Sequence, residues 1–269
     1  VQKKSHLIGV LYEPNNPSQE RIIRGIESYL RIDGEFDFIT MAYGDTNFVD
    51  DWVLRRNLDG LIIIGNFDKN ILIRIKKLKK PIIAVDNYSE SVEEIIYINS
   101  HDTFGAYFAT EELIKSGVKE PFFLKIKANE ISERRFMGYI SCLEDYGIEL
   151  REEMILHANK DEFLEGKIIG ANLVSLGVKG LICTSDILAL GVLKSLYNFK
   201  VLVLEEIKLI GFDNLQGSEY TNPSLTTVDT GALEKGERAC KMLINLLENM
   251  EVEKKEVYIE TKIIKRETV

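Results

Sequence analysis

Residues 7–32 read LIGVLYEPNNPSQERIIRGIESYLRI, and their pattern decides the fold. LIGVLY (7–12) is apolar without polar alternation, as expected of a strand buried on both faces. Asn16 is a candidate N-cap and Pro17 suits the first helical position. Ile22, Ile23, Ile26, Tyr29 and Leu30 then fall on one helical face, which predicts a helix over Pro17–Ile32. A second apolar run, FDFITMA (36–42), follows at once. Two such strands joined by a helix are parallel, because parallel pairing needs a crossover connection.

The same alternation continues along the chain, so the class is α/β. Further strands are expected near 60–64, 81–85 and 95–98, then near 121–126, 153–156, 180–184 and 207–212. Helical patterns run over 103–115, 133–146, 165–176, 187–197 and 232–248. This is too many strands for one open sheet. It predicts two doubly wound parallel-sheet lobes with a seam near 98–101. LTTVDTGALEKGERACKMLINLLE (225–248) reads as a short strand and a long helix crossing back to the first lobe, with one last strand in VYIETKIIK (257–265). The expected lobes are therefore 1–98 plus 229–251 and 99–228 plus 252–269, joined by a multi-strand hinge.

Composition narrows the function. A chain of 269 residues with 45% hydrophobic and 29% charged residues can bury a core, which excludes disordered and collagen-like classes. Net charge is −9, so these residues by themselves are not expected to grip a phosphate backbone. The apolar runs are far shorter than the ~20 residues that cross a bilayer. Cys142, Cys183 and Cys240 are widely spaced within apolar patterns, which argues against a disulfide framework or thiolate metal site and for a reducing cytoplasm. Val1–Lys4 is followed by no signal-peptide run and there is no initiating Met, so the sequence is expected to begin inside a longer protein.

No HExxH, paired CxxC, GxxxxGK[ST], GxSxG or GxGxxG occurs. His6, His101 and His157 are scattered and read as surface or strand-end residues, so neither a metal nor a cofactor is expected. What stands out is polarity beyond the carboxyl ends of strands, where doubly wound sheets bind ligands. The first lobe offers Asn16, Ser18 and Gln19, then Asp45 and Thr46, then Asp86 and Asn87. The second offers Glu133, Arg134 and Arg135 at an expected helix start, Ser185 and Asp186, and Asp213 and Asn214. Carboxylates, amides and a guanidinium suit a polyhydroxylated ligand, whose hydroxyls donate to Asp and accept from Arg. The same residues also read as helix caps: Asn16, Ser132 and Ser185 are good ones, and Asp in a first turn complements the helix dipole. Arg135 near a helix start is disfavoured by that dipole and tips the reading toward a ligand.

With these residues in view, the chain resembles the effector-binding core of the lac repressor (LacI/GalR) family of bacterial transcription regulators. The resemblance covers essentially the whole chain. LIGVLYEPNNPSQERIIRGIE (7–27), DGLIIIG (59–65) and PIIAVDN (81–87) are similar to its opening landmarks. ERRFMGY (133–139), CTSDILALGVLKSL (183–196), IKLIGFDN (207–214) and NPSLTTV (222–228) occur in its order and spacing. The resemblance implies a type I periplasmic-binding-protein-like fold and a cytoplasmic homodimer with a small-molecule effector in the cleft between lobes. Operator DNA would be read through an N-terminal helix-turn-helix that is absent from this chain.

Residue by residue, the resemblance implies that Arg135, three before Gly138, and Asp213 of the GFD motif grip the ligand. Asp86 matches a first-lobe aspartate that reaches it, and Asn16, Ser18 and Gln19 match the turn that closes over it. Ser185 stands where Asn is common, and Asp186 reads as structural. The family's aromatic platform falls on Asp161, with Phe163 as a nearby substitute. The implied function is a sugar-responsive repressor, and DGLIIIGNFDKN (59–70) is similar to the galactoside-responsive branch. A nucleobase or phosphorylated sugar is a further effector class, with Arg135 and Lys125 serving an anion. The competing readings are an extracytoplasmic sugar-binding protein of a transporter and a hydrolase pairing Asp86 with Asp213, the latter opposed by the missing catalytic motifs.

Overall fold

The computed structural model describes residues 6–33, 36–43, 49–89, 91–252 and 255–269. They form two compact units. One holds the chain through Ser100 together with Gly231–Ile259, and the other holds His101–Thr230 with Glu260–Val269. The chain thus passes from one unit to the other three times.

The first unit is built on strands β1 (His6–Tyr12), β2 (Phe36–Ala42), β3 (Gly60–Ile64), β4 (Ile82–Val85), β5 (Ile95–Ser100) and, from the chain's end, β11 (Glu256–Ile259). Their order is β11-β5-β4-β3-β1-β2, and every pairing is parallel. Helices α1 (Pro17–Asp33) and α9 (Ala232–Leu247) cover one face, and α2 (Val49–Arg56) and α3 (Lys69–Lys76) the other. Alternation along the strands sorts the side chains. Ile62, Ile64, Ile83, Val85, Ile96 and Ile98 pack with residues of α1 and α9, whereas Leu61, Ile63, Ile82, Ala84, Ile95 and Tyr97 pack with residues of α2 and α3. Each fully buried aliphatic side chain contributes on the order of 1.5–3 kcal/mol. Strands buried on both faces therefore appear as continuous apolar runs in the sequence.

The second unit repeats the plan with β6 (Phe122–Ile126), β7 (Ile155–Ala158), β8 (Gly180–Cys183), β9 (Lys208–Phe212), β10 (Thr226–Asp229) and β12 (Lys262–Ile264), ordered β12-β10-β9-β8-β6-β7. Only β12 is antiparallel. Its helices are α4 (Asp102–Lys115), α5 (Glu130–Asp145), α6 (Phe163–Gly170), α7 (Asp186–Asn198) and the single turn α8 (Gln216–Glu219). Close helix approach sets the site's geometry here. A Cβ on Gly138 of α5 would lie 1.9 Å from the Thr103 carbonyl oxygen of α4, so only glycine lets these helices meet backbone to backbone.

Several expectations need correction. The single last strand is two: β11 joins the first sheet and β12 the second. Residues 99–100, 252 and 255–259, expected in the second lobe, run with the first unit, and residues 229–230, expected in the first lobe, run with the second. Pairing decides this, because both halves of VYIETKIIK are equally strand-like. Helices α2 and α3, only eight residues each, leave no clear stripe in the sequence. The helix expected over 165–176 begins at Phe163 and ends at Gly170. Helix α5 begins at Glu130 and is capped by Asn129, not Ser132: the Asn129 side chain accepts from the Ser132 amide at 2.8 Å, while Ser132 Oγ accepts from Ile126 N at 2.9 Å. Arg135 is therefore more than a turn inside the helix, and the dipole argument for it lapses.

Candidate functional site

The site residues of the second unit sit where β8 and β9 end and α4 and α5 begin. Arg135 on α5 is 5% exposed. Its Nε donates to Asp102 Oδ1 at 2.7 Å, Nη1 to the Thr184 carbonyl at 2.6 Å and Nη2 to Asp213 Oδ1 at 3.1 Å. The guanidinium also lies over the Phe212 ring, 4.3 Å from its centroid, an arrangement in which the ring's face adds attraction. Two carboxylates around one buried cation leave this rim acidic, with acceptors for hydroxyl donors. Asp213 adopts a left-handed backbone, φ 98°, while its amide donates to Val228 O at 2.8 Å. The turn thereby directs its carboxylate to Arg135.

Ser185 caps α7, its Oγ accepting from the Leu188 amide at 3.2 Å, and its hydroxyl hydrogen bonds to Asp161 Oδ1. Capping and carboxylate recognition thus coexist in one side chain. Phe163, the first residue of α6, is 46% exposed. Asp186 is buried and accepts from Leu215 N, Ser218 Oγ and Thr227 Oγ1 at 2.8, 2.6 and 2.6 Å. It pins the loop after β9 to α7 and β10. Burial pushes its carboxyl up to about 7; the Ser218 and Thr227 hydroxyls oppose this, the nearby Asp213 charge adds to it and the Leu215 amide opposes it. Lys125, read as a possible anion ligand, is instead paired with Glu133 at 2.8 Å over the Phe136 ring, because its strand position turns it to α5.

The first unit presents its own rim. Asn16 Oδ1 accepts from the Gln19 amide at 3.3 Å, and Gln19 Oε1 accepts from the Glu13 amide at 2.7 Å. These bonds hold the turn before α1, and Ser18 is partly buried in the helix's first turn. Half-buried Tyr43 shares this neighbourhood. Burial first, and then the Glu13 charge, raises its hydroxyl pKa to about 12. Asn87 is a latch, its Nδ2 donating to Gly65 O and Phe67 O at 3.1 and 3.2 Å. Asp86, in left-handed backbone with φ 53°, is paired with Lys235 at 2.6 and 2.7 Å. Asp45, with Thr46, lies outside the described residues.

Asp102, Tyr43 and Lys235 are not singled out by the sequence pattern. Asp102 reads as an ordinary acid in a helix's first turn. Lys235 carried a usable signal, since it interrupts the apolar stripe Ala232, Gly236, Ala239, Leu243 of α9. Asp86 and Asp213 belong to different units, and each is engaged by a cation. Among the described residues no cluster of His, Cys, Asp or Glu could hold a metal ion. No helix among them is long and apolar enough to cross a membrane. All three cysteines are buried, and burial raises the Cys142 thiol to about 12.

Comparison with known proteins agrees with this architecture. The periplasmic binding protein-like domain family matches residues 110–269. The HTH-type transcriptional regulator MalR of Clostridium butyricum is 26% identical over 280 residues, covering 99% of this chain and 83% of that one. The HTH-type transcriptional repressor PurR of Aliivibrio fischeri is 23% identical over 272 residues, covering 97% and 80%. A LacI family transcriptional regulator from Enterococcus faecium, solved with bound ribose, superposes with a TM-score of 0.87 at 25% identity, covering 97% and 98%. The transcription regulator CcpA of Lactococcus lactis shares the fold with a TM-score of 0.89 at 23% identity, covering 98% and 99%. The chain belongs to the periplasmic binding protein-like domain family, in the branch formed by the cores of LacI-type transcription regulators.

Proposed function

We propose that this chain is the effector-sensing core of a sugar-responsive transcriptional repressor, working in the cytoplasm as a homodimer. The observation that carries the proposal is Arg135 held between Asp102 and Asp213 on a buried rim. Such a pair of acceptors beside a fixed guanidinium engages adjacent hydroxyls, which donate to one and accept from the other. The excess of carboxylates over cations on this rim favours a neutral polyol over a phosphorylated sugar. Asn16, Ser18, Gln19 and Asp86 on the first unit, with Asp161, Phe163 and Ser185 on the second, complete the proposed contacts. The relatives named above are regulators, which supports this reading over a transporter component and over a hydrolase. Operator DNA is proposed to be contacted by residues outside this chain, in keeping with its net charge of −9.

Regulation requires that the effector favour one conformational state over another. A thermal-shift panel of D-ribose, cellobiose, galactosides, sugar phosphates and purines tests the proposal, because a ligand that binds only the folded chain raises Tm. A neutral sugar is expected to give a shift that Asp213→Ala abolishes. A shift with phosphates or purines alone would overturn the sugar assignment, and a sugar shift unchanged in Asp213→Ala would overturn the site. Light scattering at high concentration is expected to show a dimer; a monomer there would remove that part.

A further inference from the structure

The first unit's rim contains a buried cation with no counterpart in the contacts proposed above. Lys235, in the first turn of α9, is 2% exposed. Its Nζ donates to both Asp86 oxygens at 2.6 and 2.7 Å and to Ser100 Oγ at 2.9 Å, so all three ammonium hydrogens have acceptors. Desolvating an ammonium is costly, and an apolar side chain of similar volume would fill the space without that cost. Packing therefore does not call for a cation here.

Connectivity does. Ser100 is the last residue of the first unit before the chain enters the second, and Gly231 is the first on its return. Gly231 is left-handed, φ 67°, and its carbonyl accepts from the Lys235 amide at 2.8 Å. The turn after Asp86 is stitched to the same place. Tyr88 Oη donates to Ser100 O and accepts from Ser100 N, both at 3.2 Å, and Asn99 Nδ2 donates to Asn87 O at 3.1 Å. One ammonium thus joins the loop carrying Asp86 to an outgoing and a returning crossover.

We infer that Lys235 is a positioning residue of the effector site, whose clamp on Asp86 and Ser100 couples occupancy of Asp86 to the two crossover segments. This rests on the reading that Asp86 contacts the effector. A ligand hydroxyl donating to Asp86 competes with the ammonium for the same oxygens, and the contact to Ser100 changes with it. The effect arrives where the chain leaves and re-enters the unit, with no intervening relay.

Hydrogen exchange on the whole chain tests the clamp without ligand. Lys235→Met is expected to speed amide exchange in residues 99–103 and 229–233 by roughly ten-fold. Asp86→Asn should do the same, and the double variant should add nothing. Ile244→Val, a cavity control elsewhere on α9, should leave both segments at the wild-type rate. Ser100→Ala provides a milder variant should Lys235→Met not fold, with acceleration expected at 99–103. Wild-type exchange in Lys235→Met, or in Ser100→Ala if that variant stands in, would overturn the inference, as would equal acceleration in Ile244→Val. With D-ribose or cellobiose, whichever shifts Tm, wild type should change exchange in both segments while Lys235→Met binds without that change. An identical response in Lys235→Met would overturn the coupling. Failure of every sugar to bind wild type would sink the effector reading, and with it the coupling, while the ligand-free comparison still decides whether the clamp exists.

Discussion

Replacing Asp186 by asparagine should remove a pH-dependent weakness from the second unit. The carboxyl is fully buried, and burial raises its pKa from 3.8 to about 7. The folded chain therefore keeps a proton that the unfolded chain releases. Its contribution to stability is full below about pH 4 and is lost as pH rises through about 7. At about 1.4 kcal/mol per pH unit, the rise corresponds to about 4 kcal/mol by pH 8. Asparagine cannot ionise. Its carbonyl can keep the bonds from Leu215 N and Ser218 Oγ, and its amide can donate to Thr227 Oγ1, whose hydroxyl turns round to accept. Urea unfolding at pH 4.5, 6, 7 and 8, followed by circular dichroism, measures the difference between Asp186→Asn and wild type. Groups shared by the two cancel in that difference. It should move in favour of the variant by about 3 kcal/mol across the range, most steeply between pH 5 and 7. A difference that stays flat with pH would refute the argument that burial, rather than the three donors, governs this carboxyl.

Arg135→Ala should cost about 3–5 kcal/mol of stability in urea unfolding, because it strands the Asp102 and Asp213 carboxylates, and it should abolish the sugar-induced rise in Tm. Gly138→Ala forces α4 and α5 apart and is expected to cost about 1–3 kcal/mol; loss of the Tm response before loss of folding would show that this helix contact sets the position of Arg135. Ser185→Ala should cost about 1 kcal/mol through loss of the α7 cap, and Ser185→Asn should restore it, as read by the urea midpoint.

Two orders of information meet in this chain. The α/β class, most strand positions and the helices α1, α4, α7 and α9 were legible because burial on both sheet faces writes continuous apolar runs, and helix burial writes a 3.6-residue stripe. Arg135, Asp213, Ser185 and Asp86 were legible as polar residues at strand ends and helix starts. Their partners were not. Asp102 is 33 residues from Arg135, and Lys235 is 149 from Asp86, so no local pattern links them. Strand pairing alone separates Tyr258 from Ile263, which lie five residues apart in one strand-like stretch yet belong to different sheets. The sequence by itself determined which residues must be buried and which polar groups gather at strand ends, since those follow from short-range periodicity. Only the tertiary structure decided which charge neutralises which, because a buried ion pair depends on side-chain distance in space and is indifferent to separation along the chain.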